Sequence, residues 1–191
     1  MCEFLSGITT NFGSSIKNYH SLKTNSHSEI EEEFGIRDTI SNIGKICKWE
    51  YTSATPQDLD SYTLRCDERI EPDWWDDYKV KISQYAKRQL KRHMITKDCE
   101  VKSGSWFVFE GSPVITQSGG DIFTYDSSSP VITQSGGNIQ TYSNSSPVIT
   151  QSGGYIRACS NSSPVITQSG GNIFTYESSS PVITKKNIKE K

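Results

Sequence analysis

The sequence predicts an α+β domain of order ββαββα over residues 1–100, a small β-solenoid of about five 17-residue coils over 101–184, and a charged tail over 185–191. Three observations carry this reading. Prolines fall at Pro113, Pro130, Pro147, Pro164 and Pro181, each 17 residues after the last. The phrase SPVITQSGG opens four consecutive units without a change. The first hundred residues differ in composition, holding three of the four Trp, all three His and most of the charge. A fixed period of this size marks a repeat architecture, in which one small unit stacks on its copies.

In chain order, CEFLSGITT and SIKNYHSL, joined by NFGS, read as a β-hairpin. Ser28 followed by Glu31 resembles a capping box opening the short helix SEIEEEFGI, which Gly35 stops. GKICKWEYTS and SYTLRCDERI read as two further strands, separated by the loop ATPQDLD. Asp73 then caps a long helix running to Met94, with Asp76 and Asp77 early and Lys87, Arg88, Lys91 and Arg92 late. That polarity suits the helix dipole. About a hundred residues suffice for a modest core.

Each repeat unit holds two β-type segments, PVITQ and a second such as NIFTY, with Gly-Gly at one corner and a Ser/Asn cluster at the other. Paired glycines allow positive φ at a tight corner. Proline has no N–H for a sheet ladder, so it belongs at the start of its strand or just before it. Two strands and two corners make one coil, stacked on the next at about 4.8 Å. Comparing the units separates inside from outside. Ile122, Ile139, Ile156 and Ile173 never change, and Thr124, Thr141, Ala158 and Thr175 stay small, so both ranks point inward. The rank Phe123, Gln140, Arg157, Phe174 is too mixed for an interior, and with Tyr125, Tyr142, Cys159 and Tyr176 it points outward. By symmetry Ile115 and its copies face inward, with Val114 and Thr116 and their copies outward. CEVKSGSWFVFEG reads as an imperfect first coil, and KKNIKEK as a charged stop.

The charge is nearly balanced, 20 Lys+Arg against 22 Asp+Glu, which gives no argument for nucleic-acid binding. The five cysteines are odd in number and far apart, without a CxxC pair, so neither a metal site nor a disulfide framework is expected. The N-terminus lacks the pattern of a signal peptide, and no apolar run reaches the length of a membrane span. The expectation is a cytoplasmic protein without a cofactor or membrane attachment.

Few residues suggest chemistry. Removal of the initiator Met would leave Cys2 as a nucleophilic thiol beside an α-amine, with His20 on the partner strand as a candidate neighbour. A small buried apolar Cys is the plainer account. EPDWWDDYK concentrates Trp74, Trp75 and Tyr78; two adjacent Trp do not face one core, so an exposed anchor at an interface is expected here. The outward Phe123, Tyr125, Tyr142, Phe174 and Tyr176 form an aromatic ladder able to bind a partner, although such ladders also simply stabilise stacked coils. Outward ranks of Val and Thr could order water. The open ends of a stack invite self-association.

MCEFLSGI, SHSEIEEEFGIRD, YTLRCDERIEPDWWDD and the helix ending in RHMI together resemble a family of small bacteriophage and prophage proteins, in which a domain of this size precedes a short-repeat solenoid. The resemblance implies a phage or prophage origin and action in the host cytoplasm, and it transfers no catalytic residue. The expected function is a protein-interaction module that engages or inhibits a host protein. The alternatives are an enzyme using Cys2 and a self-assembling structural component.

Overall fold

The computed structural model describes residues 4–13, 15–56, 58–159, 161–176 and 178–186. Its internal contacts divide the chain into two units, Met1–Arg92 and His93–Lys191.

In the first unit, β1 (Phe4–Asn11) and β2 (Ile16–Tyr19) form a hairpin, followed by α1 (His27–Phe34) and a single 3-10 turn at Ile40–Asn42. β3 (Ile46–Thr52), β4 (Thr63–Cys66) and α2 (Trp75–Arg92) complete it. The four strands make an antiparallel sheet in the order β2-β1-β3-β4. Leu5, Gly7 and Thr9 of β1 lie opposite Tyr51, Trp49 and Cys47 of β3, so these six share one face. Tyr85 of α2 meets the Trp49 ring edge-on there, with centroids 6.3 Å apart. On the other face Ile8 and Ile46 cluster with Ile30 of α1. A helix on each face explains why neighbouring residues of β1, such as Ser6, Ile8 and Thr9, are all buried. Gly7 is there because the Trp49 ring lies across it: a Cβ would stand 2.1 Å from Trp49 Cζ2.

Two expected helix starts are displaced. Ser26 occupies the N-cap of α1 without a side-chain bond, while Glu31 pairs with Lys48 Nζ at 3.0 Å, so Ser28 and Glu31 form no capping box. Gly35 ends α1 in the left-handed conformation at φ 66°. α2 begins at Trp75, whose N–H donates to Pro72 O, not at Asp73. It ends at Arg92, because Met94 has already entered a bridge to Phe107.

The second unit is a β-solenoid of about five turns. One parallel sheet joins β6 (Ser105–Val108), β8 (Asp121–Thr124), β10 (Asn138–Thr141), β12 (Tyr155–Ala158) and β14 (Asn172–Thr175). The other joins β5 (Cys99–Val101), β7 (Val114–Gln117), β9 (Val131–Gln134), β11 (Val148–Gln151), β13 (Val165–Gln168) and β15 (Val182–Lys185). Copies pair residue for residue, Ile115 with Ile132 and Ile139 with Ile156. The core is therefore two ladders of isoleucine, closed at its first end by Ile95, Val101, Trp106 and Val108. Val114, Val131, Val148 and Val165 are exposed, as the alternation of the first strand requires. The stack begins at His93: Phe107 N–H donates to His93 O, and Ile95 N–H to Phe107 O. Composition places that boundary later, since residues 93–98 contain no copy of the repeat.

Each corner has its own reason for not varying. At the Gly-Gly corner the second glycine, at 120, 137, 154 and 171, has φ between 71° and 79°. The first is held by space, since a Cβ on Gly136 would lie 2.5 Å from Ser118 O of the preceding coil. Gln117, Gln134 and Gln151 turn inward beside this corner and are fully buried. Gln117 Nε2 donates to Gly120 O at 3.0 Å and to Asn138 O, one coil on, at 2.9 Å. Gln134 and Gln151 repeat both bonds. At the opposite corner Thr124 Oγ1 donates to Ser145 Oγ at 3.0 Å, and Thr141 Oγ1 to Ser162 Oγ at 2.8 Å. Buried hydroxyls and amides thus knit successive coils where isoleucine does not reach. Each proline precedes its strand and only accepts, as in Val131 N–H to Pro113 O.

Candidate interaction surface

The outward face of the β6–β8–β10–β12–β14 sheet carries two ranks of side chains. One runs Phe107, Phe123, Gln140, Arg157, Phe174; the other runs Phe109, Tyr125, Tyr142, Cys159, Tyr176. At the start of the stack these residues pack closely. Phe123 stacks on Phe107 at 5.4 Å, and Tyr125 stacks on Tyr142 at 5.2 Å with planes 8° apart. Phe123 is 8% exposed and Tyr125 only 4%, so both are structural rather than open to a partner. The stacked run stops at Tyr142, whose Oη donates to Gln140 Oε1 at 2.8 Å, because the next residue of the rank, Cys159, carries no ring.

Three residues later in the stack are open. Tyr155, Phe174 and Tyr176 are each 52% exposed. The Tyr155 and Phe174 rings stack at 6.4 Å with planes 14° apart. Arg157 lies in register with Phe174 and is half-buried. Tyr155, Arg157 and Phe174 leave the same face of two adjacent strands, and Tyr176 follows β14 directly, its N–H donating to Ala158 O. Rings and a guanidinium held on a paired sheet form a rigid surface of low conformational entropy. This is the composition in which binding energy concentrates at protein interfaces. The sequence alone points to neither Tyr155 nor Arg157 as a binding residue, although it places Arg157 on the outward rank. Their signal was the departure of the third unit from its neighbours, YIRAC against NIQTY and NIFTY.

The WW pair separates cleanly. Trp75 is 5% exposed, on the buried stripe of α2 with Ile82, Ala86 and Leu90. It belongs to the core. Trp74 is half-buried, its Nε1–H donating to Gly44 O at 2.6 Å, and it meets Tyr78 edge-on at 6.5 Å. Phe12 and Ile43, both exposed, lie on the two chain segments joined by the Asn11 N–H to Lys45 O bond, next to the Gly44 whose carbonyl Trp74 reaches.

Cys2 lies outside the described residues. His20 is buried, with Nδ1 3.0 Å from Ser6 O, and burial holds its pKa below the usual imidazole value. Its ring is held against the backbone of β1. Among the described residues no three His, Cys, Asp or Glu side chains are grouped as a metal would need. No helix of the described residues is long and apolar enough to cross a membrane. No family model, curated protein or solved structure matches the chain.

Proposed function

We propose that the protein is a protein-interaction module whose recognition surface is the late outward face of the solenoid, formed by Tyr155, Arg157, Phe174 and Tyr176. The observation that carries this reading is a contrast within one sheet. Phe123 and Tyr125 are packed away in the early coil, whereas Phe174 and Tyr176 of the same ranks are open at the last described strand of the sheet, beside the Tyr155 and Arg157 that only the third unit carries. The resemblance to phage and prophage proteins makes a host-cell protein the first partner to seek. Trp74 with Tyr78 offers a second, smaller contact.

The test is quantitative affinity capture from bacterial lysate with the full chain and with a Tyr155→Ala/Phe174→Ala/Tyr176→Ala variant. Exposed side chains make little packing, so the variant should keep its circular dichroism and melting temperature. Recovery of a near-stoichiometric partner should fall roughly 30-fold or more, the loss that follows from truncating interface anchors. Equal recovery by both proteins would remove this surface from the account.

A second reading rests on the far end of the stack. β14 and β15 are the last described strands of their sheets, and Ile183 of β15 is exposed. A strand edge without a partner among the described residues favours end-to-end self-association. Sedimentation over a wide concentration range separates the two readings, since a mass that grows with concentration belongs to self-association.

A further inference from the structure

The first unit holds a buried thiol pair that the binding account does not use. Cys47 in β3 and Cys66 in β4 lie 19 residues apart in sequence, with their Sγ atoms 3.0 Å apart. Both are free cysteines. Cys66 stands opposite Trp49 in the antiparallel ladder, so Cys47 reaches it diagonally on the same sheet face. β4 is a four-residue strand at the sheet edge, joined to β3 by the loop over 53–62.

We propose that Cys47 and Cys66 are a disulfide site, oxidised reversibly by a small-molecule disulfide, and that the bond fastens the edge strand β4 to the sheet. The geometry is nearly made, because the two thiols already face each other in the core. Cys66 is the entry point, being 8% exposed where Cys47 is fully buried. Its thiolate attacks one sulfur of oxidised glutathione, forming a mixed disulfide and releasing one glutathione thiolate. Cys47 then loses its proton and attacks the Cys66 sulfur of that mixed disulfide, forming the Sγ–Sγ bond and releasing the second glutathione. The pair gives up two electrons and two protons, and one oxidised glutathione becomes two reduced ones. Burial pushes the Cys47 thiol well above the ordinary cysteine range, so ring closure quickens as pH rises. The bond would close a loop of moderate length, which stabilises chiefly by restricting the unfolded chain.

The experiment incubates the native full-length protein with oxidised glutathione, labels remaining thiols after denaturation, and maps non-reduced peptides by mass spectrometry. The expected result is a linked peptide joining residues 47 and 66 in most molecules. The melting temperature should rise by roughly 5–15 °C and return on reduction. Cys66→Ala should abolish both changes, while Cys99→Ala, away from the pair, should keep them. Recovery of Cys47 and Cys66 only as labelled thiols or glutathione adducts, with no linked peptide, would overturn the proposal.

Discussion

Replacing Gly137 with Ala is expected to destabilise the solenoid by about 2–5 kcal/mol, measured by urea unfolding. Two costs combine. Gly137 has φ 77°, a conformation that disfavours any side chain. The added Cβ would also stand 2.3 Å from Gly120 O in the preceding coil, where backbone on both sides has no freedom to retreat. Gly111→Ala separates the two, because Gly111 has φ 79° but open space around the Cβ position. It should lose only the conformational part, about 1 kcal/mol. Equal losses at the two sites would show that stacking contact is not what holds the Gly-Gly corner constant.

Gln134→Leu should cost a comparable amount, roughly 2–5 kcal/mol, although leucine is apolar and close in size. The buried Gln134 amide donates to Gly137 O in its own coil and to Tyr155 O in the next. Leucine leaves both carbonyls without these donors in the interior. The outward neighbour Thr133 is exposed, and Thr133→Val should stay within about 0.5 kcal/mol of the parent. The difference, read from the same unfolding series, isolates the amide ladder from simple strand propensity. A Gln134→Leu protein as stable as the parent would mean that isoleucine packing alone holds the coils.

Much of the solenoid was readable because its copies compare themselves. Ile122 and its equivalents could be assigned inward without a structure, since a neighbouring rank accepted Phe, Gln and Arg. The same alternation, carried two residues past Ile115, reaches Gln117, but a polar residue at an inward position has meaning only when its partners one coil away are known. The Gly-Gly corner was attributed to positive φ, which is a local property. The contact of Gly136 with Ser118 O belongs to the neighbouring coil and leaves no local trace. Trp75 was separable from Trp74 in principle: Trp75, Ile82, Ala86 and Leu90 share the helical stripe that Trp74 leaves. Gly7 was not, because its cause is a ring on the paired strand. Period-2 alternation places Phe123 and Tyr125 outward in the pleat, which on sequence alone implies exposure. The aromatic stacking along the ladder makes those different statements.

The account holds that the sameness of the units builds the stack and that its late outward face carries recognition. An in-phase deletion of residues 131–147 removes one whole unit and leaves Tyr155, Arg157, Phe174 and Tyr176 in place. Affinity capture with this protein, run beside the full chain and the triple alanine variant, is the most direct test. The expected result is a shorter, folded protein that still recovers the partner, against a triple variant that does not. A deletion protein that loses the partner while the triple variant keeps it would contradict the account, and would place recognition in the repeated positions themselves.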